Sequence, residues 1–306
     1  MLQLTIRKLI QGSLMILIVS AITFALLSSA GGDALTSLRD NPQISEATVQ
    51  ELQKIYGLDR PLPERYAIWL AGALRGDLGE SFSYRIPVAT IVGSRFVNTA
   101  ILSVTAFVIA ILVSFLLAIV GVLYPSRIIG GLIEVLILLT ASTPRMVLAL
   151  LFLVIALRFG FAGPQAGSLG LFQLVSGSIV LAIPLVSIFL AQLTDALREA
   201  MSEDFIRMAR AKGLSEWAVL TRHALRAALT PFLTIAGLSL GGLLGGSVIV
   251  ETVLGWPGIG ALMVAAVRGR DVPLVMGVVL IASATVWLGN AIAEFLQLLN
   301  DRRLRD

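Results

Sequence analysis

Few residues of this 306-residue chain could do covalent chemistry. It has no cysteine and a single histidine, His223, which excludes thiol nucleophiles, Cys-ligated zinc and multi-histidine metal sites. No GxxxxGK[ST], HExxH or GxSxG pattern occurs, so the chain has no nucleotide cradle, zinc-protease helix or nucleophile elbow of its own. What remains is charge placed for contact. Residues 202–231 read SEDFIRMARAKGLSEWAVLTRHALRAALTP. Ser202 can cap a helix whose first turn holds Glu203 and Asp204, where the helix dipole favours anions. Phe205, Arg207, Ala209, Arg210 and Ala211 follow, and Lys212 lies in the last turn. Gly213 can then adopt positive φ as a C′ residue. Leu214 and Ser215 lead into a second helix, capped by Ser215, that Pro231 ends. Two short helices reversing at a glycine make a protruding knuckle, and an ordinary solvated loop has no need of caps at both ends. His223, between Arg222 and Arg226, reads as a contact or cap residue of this hairpin rather than a base. Two further charges stand in or next to apolar spans: Arg145, directly after Pro144, and Glu251, which opens a Gly/Pro-punctuated turn over 251–260 and so places an acid at the outer membrane edge.

The elements that position these residues are set by hydropathy. Hydrophobic residues make up 57% of the chain and charged residues 14%, and the mean hydropathy is +0.92, outside the range of a soluble domain. Six apolar stretches are long enough to cross a bilayer, which takes about 20 residues: 9–30, 98–124, 128–157, 177–194, 232–254 and 273–299. The third is long and holds Pro144, which predicts a tilt or a break. The fourth is short, and Pro184 interrupts it. The expected fold is an all-α membrane protein, a single transmembrane domain over 1–306. A helical outer loop spans 31–97, and the charged hairpin spans 195–231.

Basic residues orient it. Arg7, Lys8, Arg127, Arg198, the arginines and lysine of the hairpin, Arg302, Arg303 and Arg305 fall on one face. The opposite short loops hold Arg158, Arg268 and Arg270. Both termini and the hairpin are therefore expected in the cytoplasm, in a multi-pass protein of the cell membrane. The net charge of +4 lies beside apolar spans and gives no reason to invoke nucleic acid. Arg7-Lys8, an apolar run and Ser28-Ser29-Ala30 could also be read as a signal peptide. The run is long for one, and its removal would leave an odd number of spans.

Loop 31–97 is patterned. Ser45 can cap a helix through Tyr56 with Gly57 as its stop, and Pro63 suits the first turn of a second helix presenting Ala67, Leu70 and Leu74. Residues 76–79 form a turn, and Pro87 starts a segment leading into the second span. Small helices of this kind either cap the spans or meet a soluble partner. In the fifth span Gly237, Gly241 and Gly245 recur every four residues, with Gly242 and Gly246 one position out of phase. Small residues at this spacing let helix backbones approach closely in lipid. This face serves packing alone, or lines a pathway where spans slide. Arg145 either snorkels or pairs with a carboxylate of another span, or faces the pathway. The pathway candidates are Arg145, Gly241, Gly245 and Glu251.

Residues 203–215, continuing through His223-Ala224-Leu225-Arg226 to Pro231, resemble the ATPase-docking loop of permease subunits from ATP-binding-cassette importers, in the dipeptide, oligopeptide and nickel branch. The segments Gly57-Leu58-Asp59-Arg60-Pro61-Leu62, Arg75-Gly76-Asp77-Leu78-Gly79, Val250-Glu251-Thr252-Val253 and Gly255-Trp256-Pro257-Gly258 are similar to that branch too. Ala209 and Gly213 keep the spacing of the loop's general pattern, with Arg207 and Met208 in its first two positions. Ala34 and Arg145 depart from what the branch carries at those places. The resemblance implies a type I importer permease that forms half of a translocation pathway and has no catalytic site. It implies residues 203–205, 207 and 209–214 as the coupling surface. Its partners would be a second homologous permease chain, two ABC ATPase subunits that bind ATP and Mg, an extracytoplasmic substrate-binding protein and the lipid bilayer. No cofactor is expected on this chain. Dipeptide, oligopeptide, nickel chelate or another solute remain open as cargo. An ion-coupled secondary transporter is the alternative. It would need intramembrane carboxylates, for which Glu134 and Glu294 offer themselves, but no inverted repeat of broken helices is visible.

Overall fold

The computed structural model describes residues 2–29, 46–55, 57–159 and 170–300. Among them no strand occurs. The helices are α1 (Leu2–Ser29), α2 (Glu46–Ile55), α3 (Leu62–Ala73), α4 (Val88–Leu123), α5 (Arg127–Ser142) and α6 (Arg145–Arg158). There follow α7 (Leu171–Ser202), α8 (Asp204–Ala211), α9 (Glu216–Val219), a π-helical turn at Leu220–Ala224, α10 (Leu225–Leu254), α11 (Ile259–Arg268) and α12 (Val272–Asn300). Among the described residues, five helical stretches are long and apolar enough to cross a membrane by themselves. Two further pairs, α5 with α6 and the end of α10 with α11, pass that test only when joined across a bend.

The helices do not follow the bounds of the six expected spans. The second is one helix from Val88, immediately after Pro87, so no separate segment precedes it. The third is broken at Pro144 by a 91° bend between α5 and α6. The fourth is neither short nor interrupted: α7 runs 32 residues through Pro184. In the outer loop α2 begins at Glu46 and α3 carries Pro63 in its first turn. Ser45 and Tyr56 lie outside the described residues. Leu74 is not on a packed face of α3; it follows the helix end and is exposed.

The chain divides into two compact units. The first comprises Met1–Asn98 and Pro257–Thr285. Its core joins Leu78, Val88, Val92, Ile259, Leu262 and Leu274. Tyr66 anchors α3 on α1 through a 2.9 Å hydrogen bond between its hydroxyl and Ser20 and a ring contact with Phe24. The fully buried Asp271 accepts hydrogen bonds from Ser81 Oγ at 2.6 Å and Ser83 N at 2.9 Å, and caps α12 through Leu274 N at 3.2 Å. Three donors satisfy this buried carboxylate, which would otherwise be costly.

The second unit comprises Thr99–Trp256 and Val286–Asp306, and α7 is its centre. Phe189, Leu190, Leu193 and Leu197 are fully buried among Leu102, Ala106 and Ala110 of α4 and Ala228, Phe232 and Leu243 of α10. The Phe189 ring meets Phe107 and Phe232 edge-on at centroid distances of 5.6 and 5.3 Å, a favoured aromatic geometry.

Candidate docking hairpin

Helix α7 carries the chain to Ser202, and the knuckle starts there. Ser202 does not cap the next helix. Its hydroxyl donates back to Glu199 O at 2.7 Å, because the end of α7 leaves carbonyls without intrahelical partners. The N-cap position of α8 is Glu203, in extended conformation and without a side-chain cap bond. Asp204 occupies the first turn and pairs with Arg207 at 3.2 Å.

The eight residues of α8 divide cleanly. Ile206 and Ala209 are buried in the core around α7. Phe205 and Met208, three apart on another face, are 39% and 62% exposed. Arg207, Arg210, Ala211 and Lys212 are exposed as well. The helix stops where the sequence says it should. Gly213 has φ +77°; its N–H donates to Arg210 O at 2.9 Å, and Leu214 N donates to Ala209 O at 3.4 Å. This paired arrangement closes a helix C-terminus, and Leu214 packs back on the core. Ser215 caps the second arm by accepting from Ala218 N at 3.3 Å. Arg210 then ties the arms together with two bonds to the Glu216 carboxylate, at 2.8 and 3.0 Å. That hydrogen bond pushes the guanidinium above its already high ordinary pKa, so its charge is fixed.

The second arm is not a short helix ended by Pro231. From Glu216 the chain stays helical through α9, the π-turn that holds His223, and α10, with Pro231 inside the helix. Ala228 and Phe232, flanking the proline, are buried, and this packing holds the helix through the lost hydrogen bond. Trp217, on the second arm, is 57% exposed. Met208, Trp217 and Glu216 are surface residues absent from the set inferred for coupling. The spacing of Phe205 and Met208 against Ile206 and Ala209 is the signal that could have found Met208. An exposed apolar set among charges, on a rigid turn, is built to be covered.

The remaining candidates are scattered. Arg145 opens α6 and lies against Gly246: a Cβ at that glycine would stand 2.5 Å from its Nη1. Gly241 faces Val286 and Asn290 of α12, at 3.4 and 3.5 Å from where a Cβ would be. Gly245 is exposed, and a Cβ there would meet no described atom beyond the helix's own backbone within 4 Å. Glu251 lies inside α10 rather than in the turn after it. It is fully buried, and Thr99 Oγ1 donates to it at 2.6 Å.

Comparison with known proteins decides between the readings. The family described as binding-protein-dependent transport system inner membrane component matches residues 110–306, and the family for the N-terminal part of such components matches residues 1–111. The chain belongs to this family. It is 31% identical to a putative peptide permease protein of Brucella suis, covering 100% of this chain and 99% of that one. The oligopeptide transport system permease AppB of Bacillus subtilis is 31% identical, with 98% of each chain covered. The glutathione transport system permease GsiC of Escherichia coli K12 is also 31% identical, over 97% of this chain and 96% of the other. An amino acid ABC transporter crystallised with histidines shares the fold, with a TM-score of 0.52 and 19% identity over 70% of this chain and 94% of that one. This family member is thus a multi-pass inner-membrane permease subunit of an ABC importer, and the ion-coupled alternative finds no support.

Proposed function

We propose that this permease forms half of the pathway for a peptide, paired with a second homologous permease and loaded by an extracytoplasmic binding protein. Two ABC ATPase subunits, which bind ATP and Mg, complete the assembly, and one of them grips this chain's hairpin. The single observation that carries the reading is the knuckle itself, with Phe205, Met208 and Trp217 exposed on capped, tied arms. The peptide cargo is supported by the names of the relatives. The basic residues of the hairpin, with Arg7, Lys8 and Arg127, favour a cytoplasmic hairpin and cytoplasmic termini.

The geometry suits a lever. A pull on α8 acts on α7, whose end it follows after one extended residue, and through the Arg210–Glu216 tie on the helix that continues into α10. ATP-driven closure of the ATPases would then favour one arrangement of the spans over the other by acting through this surface. Along that route Arg145, Gly241, Gly245 and Glu251 are the candidates for the pathway. The test is Met208→Asp combined with Trp217→Asp in the assembled complex. Co-purification of the ATPases and ATP-driven peptide uptake should both be lost, while the chain still inserts in the membrane. Normal co-purification and uptake would remove the hairpin from coupling.

A further inference from the structure

We propose that Arg145, seated on Gly246, is the point at which the pathway recognises a carboxylate of its cargo. The inference rests on the peptide-importer reading and adds to it a substrate feature and a positioning residue. Arg145 is the first residue after the 91° break between α5 and α6. A guanidinium in a membrane span is costly and as a rule faces a cavity or a partner. Among the described residues no carboxylate lies within ion-pairing distance of it. Glu134 stands eleven residues earlier, on the far side of the bend.

The guanidinium nevertheless has a defined place. A Cβ at Gly246 would lie 2.5 Å from Nη1, 2.9 Å from Cζ and 3.4 Å from Nε. The group therefore rests on the bare backbone of α10, and only glycine leaves that room. Beside this seat α10 turns an open face outward. Leu238, Gly242, Gly245, Ile249 and Thr252 are exposed at alternating spacings of four and three, the periodicity of one helix face. A Cβ at either of its glycines would meet no described atom beyond the helix's own backbone within 4 Å. The start of α6 adds the positive end of a helix dipole at the same point. A seated cation with no counter-charge among the described residues, at the break of a span and beside an open helix face, suits a mobile anion. The anion a peptide always brings is its carboxylate.

The experiment uses the complete complex in vesicles. ATP-driven uptake of trialanine is compared with that of its C-terminal amide, each at a concentration giving equal occupancy of the binding protein. Arg145→Gln should lower the acid-to-amide uptake ratio about tenfold or more, the worth of a lost charge-assisted hydrogen bond. Arg145→Lys should recover part of the ratio. Gly246→Ala, which sets a methyl against Nη1, should lower it too, yet add nothing in the Arg145→Gln background. An equal fall for both peptides with loss of assembly would mean that Arg145 pairs with another chain, and would overturn the proposal. An unchanged ratio would mean that it merely snorkels to headgroups, and would overturn it equally. Additive effects of the two substitutions would refute the seat. If the unaltered complex takes up neither peptide, the peptide reading itself falls.

Discussion

The α5–α6 pair and α7 carry the same sequence cue, a proline inside a long apolar run, and end in opposite conformations. At Pro144 the helix breaks and the chain turns by 91°; at Pro184 it runs on for a total of 32 residues. Proline removes one hydrogen bond and crowds the preceding turn in either place. The difference lies in what surrounds it. Buried residues line α7 from Ser176 to Ala200, so packing on several sides holds the helix through the defect. In α5 only Ile133 is buried, and in α6 only Ala149 and Ala156. The last turn of α5 is also rich in hydroxyls: Thr140, Ser142 and Thr143 donate to Leu136 O, Leu138 O and Leu139 O at 2.6 to 2.7 Å. Leu139 O belongs to the last turn, whose carbonyls the break frees, and a hydroxyl that satisfies a freed carbonyl makes a broken helix tolerable in lipid. The other two add second bonds to carbonyls inside the helix, which favours bending.

The contrast is broken most forcefully in the core of α7. Phe189→Ala should destabilise the chain by about 3–5 kcal/mol, the usual cost of emptying a large buried aromatic site, whereas Leu132→Ala on exposed α5 should cost little. Thermal unfolding in detergent reads both. Equal costs would mean that α7 is not the structural centre.

Next in size is Gly213→Val at the knuckle. No atom lies within 4 Å of a Cβ at this position, so the penalty is conformational, about 1–2 kcal/mol for a side chain forced to positive φ. Uptake should fall steeply while insertion persists. Gly213→Asn, better able to adopt that conformation, should retain most uptake. Identical behaviour of the two variants would show that the backbone at 213 is not what matters.

Local chemistry decides how much of this is legible in the sequence. Gly213 and Ser215 act within four residues of themselves, and both are readable from residue type and order alone. Pro144 and Pro184 read alike in sequence, and only the packing around α7 separates the helix that breaks from the one that runs on. Ser202 and Pro231 mislead, because each depends on helices extending further than their apolar cores. Residues Ala228 and Phe232 hold α10 through its proline by tertiary contact. The partners of the buried acids are out of reach for the same reason. Thr99 is 152 residues from Glu251, and Ser81 is 190 from Asp271; no periodicity reports such pairings. The glycine pattern of α10 is visible, but not its division of labour: Gly246 seats a guanidinium, Gly241 meets α12 and Gly245 is exposed.

Removing each proline sharpens the comparison at lower cost in stability. The chain has no cysteine, so spin labels can be placed at will. Labels at Leu132 and Val154, both exposed, bracket Pro144, and labels at Val175 and Ile188 bracket Pro184. In Pro144→Ala the first distance should lengthen toward the roughly 33 Å of an unbroken helix. In Pro184→Ala the second should not move. A Pro144→Ala variant that keeps the bend would assign the break to packing rather than to the proline.

The smallest effect separates two ion pairs of the hairpin. Asp204 and Arg207 are 89% and 74% exposed and join residues of the same helix turn, so water and salt screen them and their loss should barely register. Arg210 and Glu216 are also solvated, but they form two parallel bonds across the turn at Gly213 and so fix one arm on the other. The bidentate geometry gives this pair an orientation as well as a charge. Arg210→Lys keeps the charge and loses the fork; it should reduce transport per ATP hydrolysed, and leave the stability of the chain nearly untouched. Arg207→Lys should do neither. If both substitutions leave coupling unchanged, the caps alone make the knuckle rigid and the tie across it is dispensable.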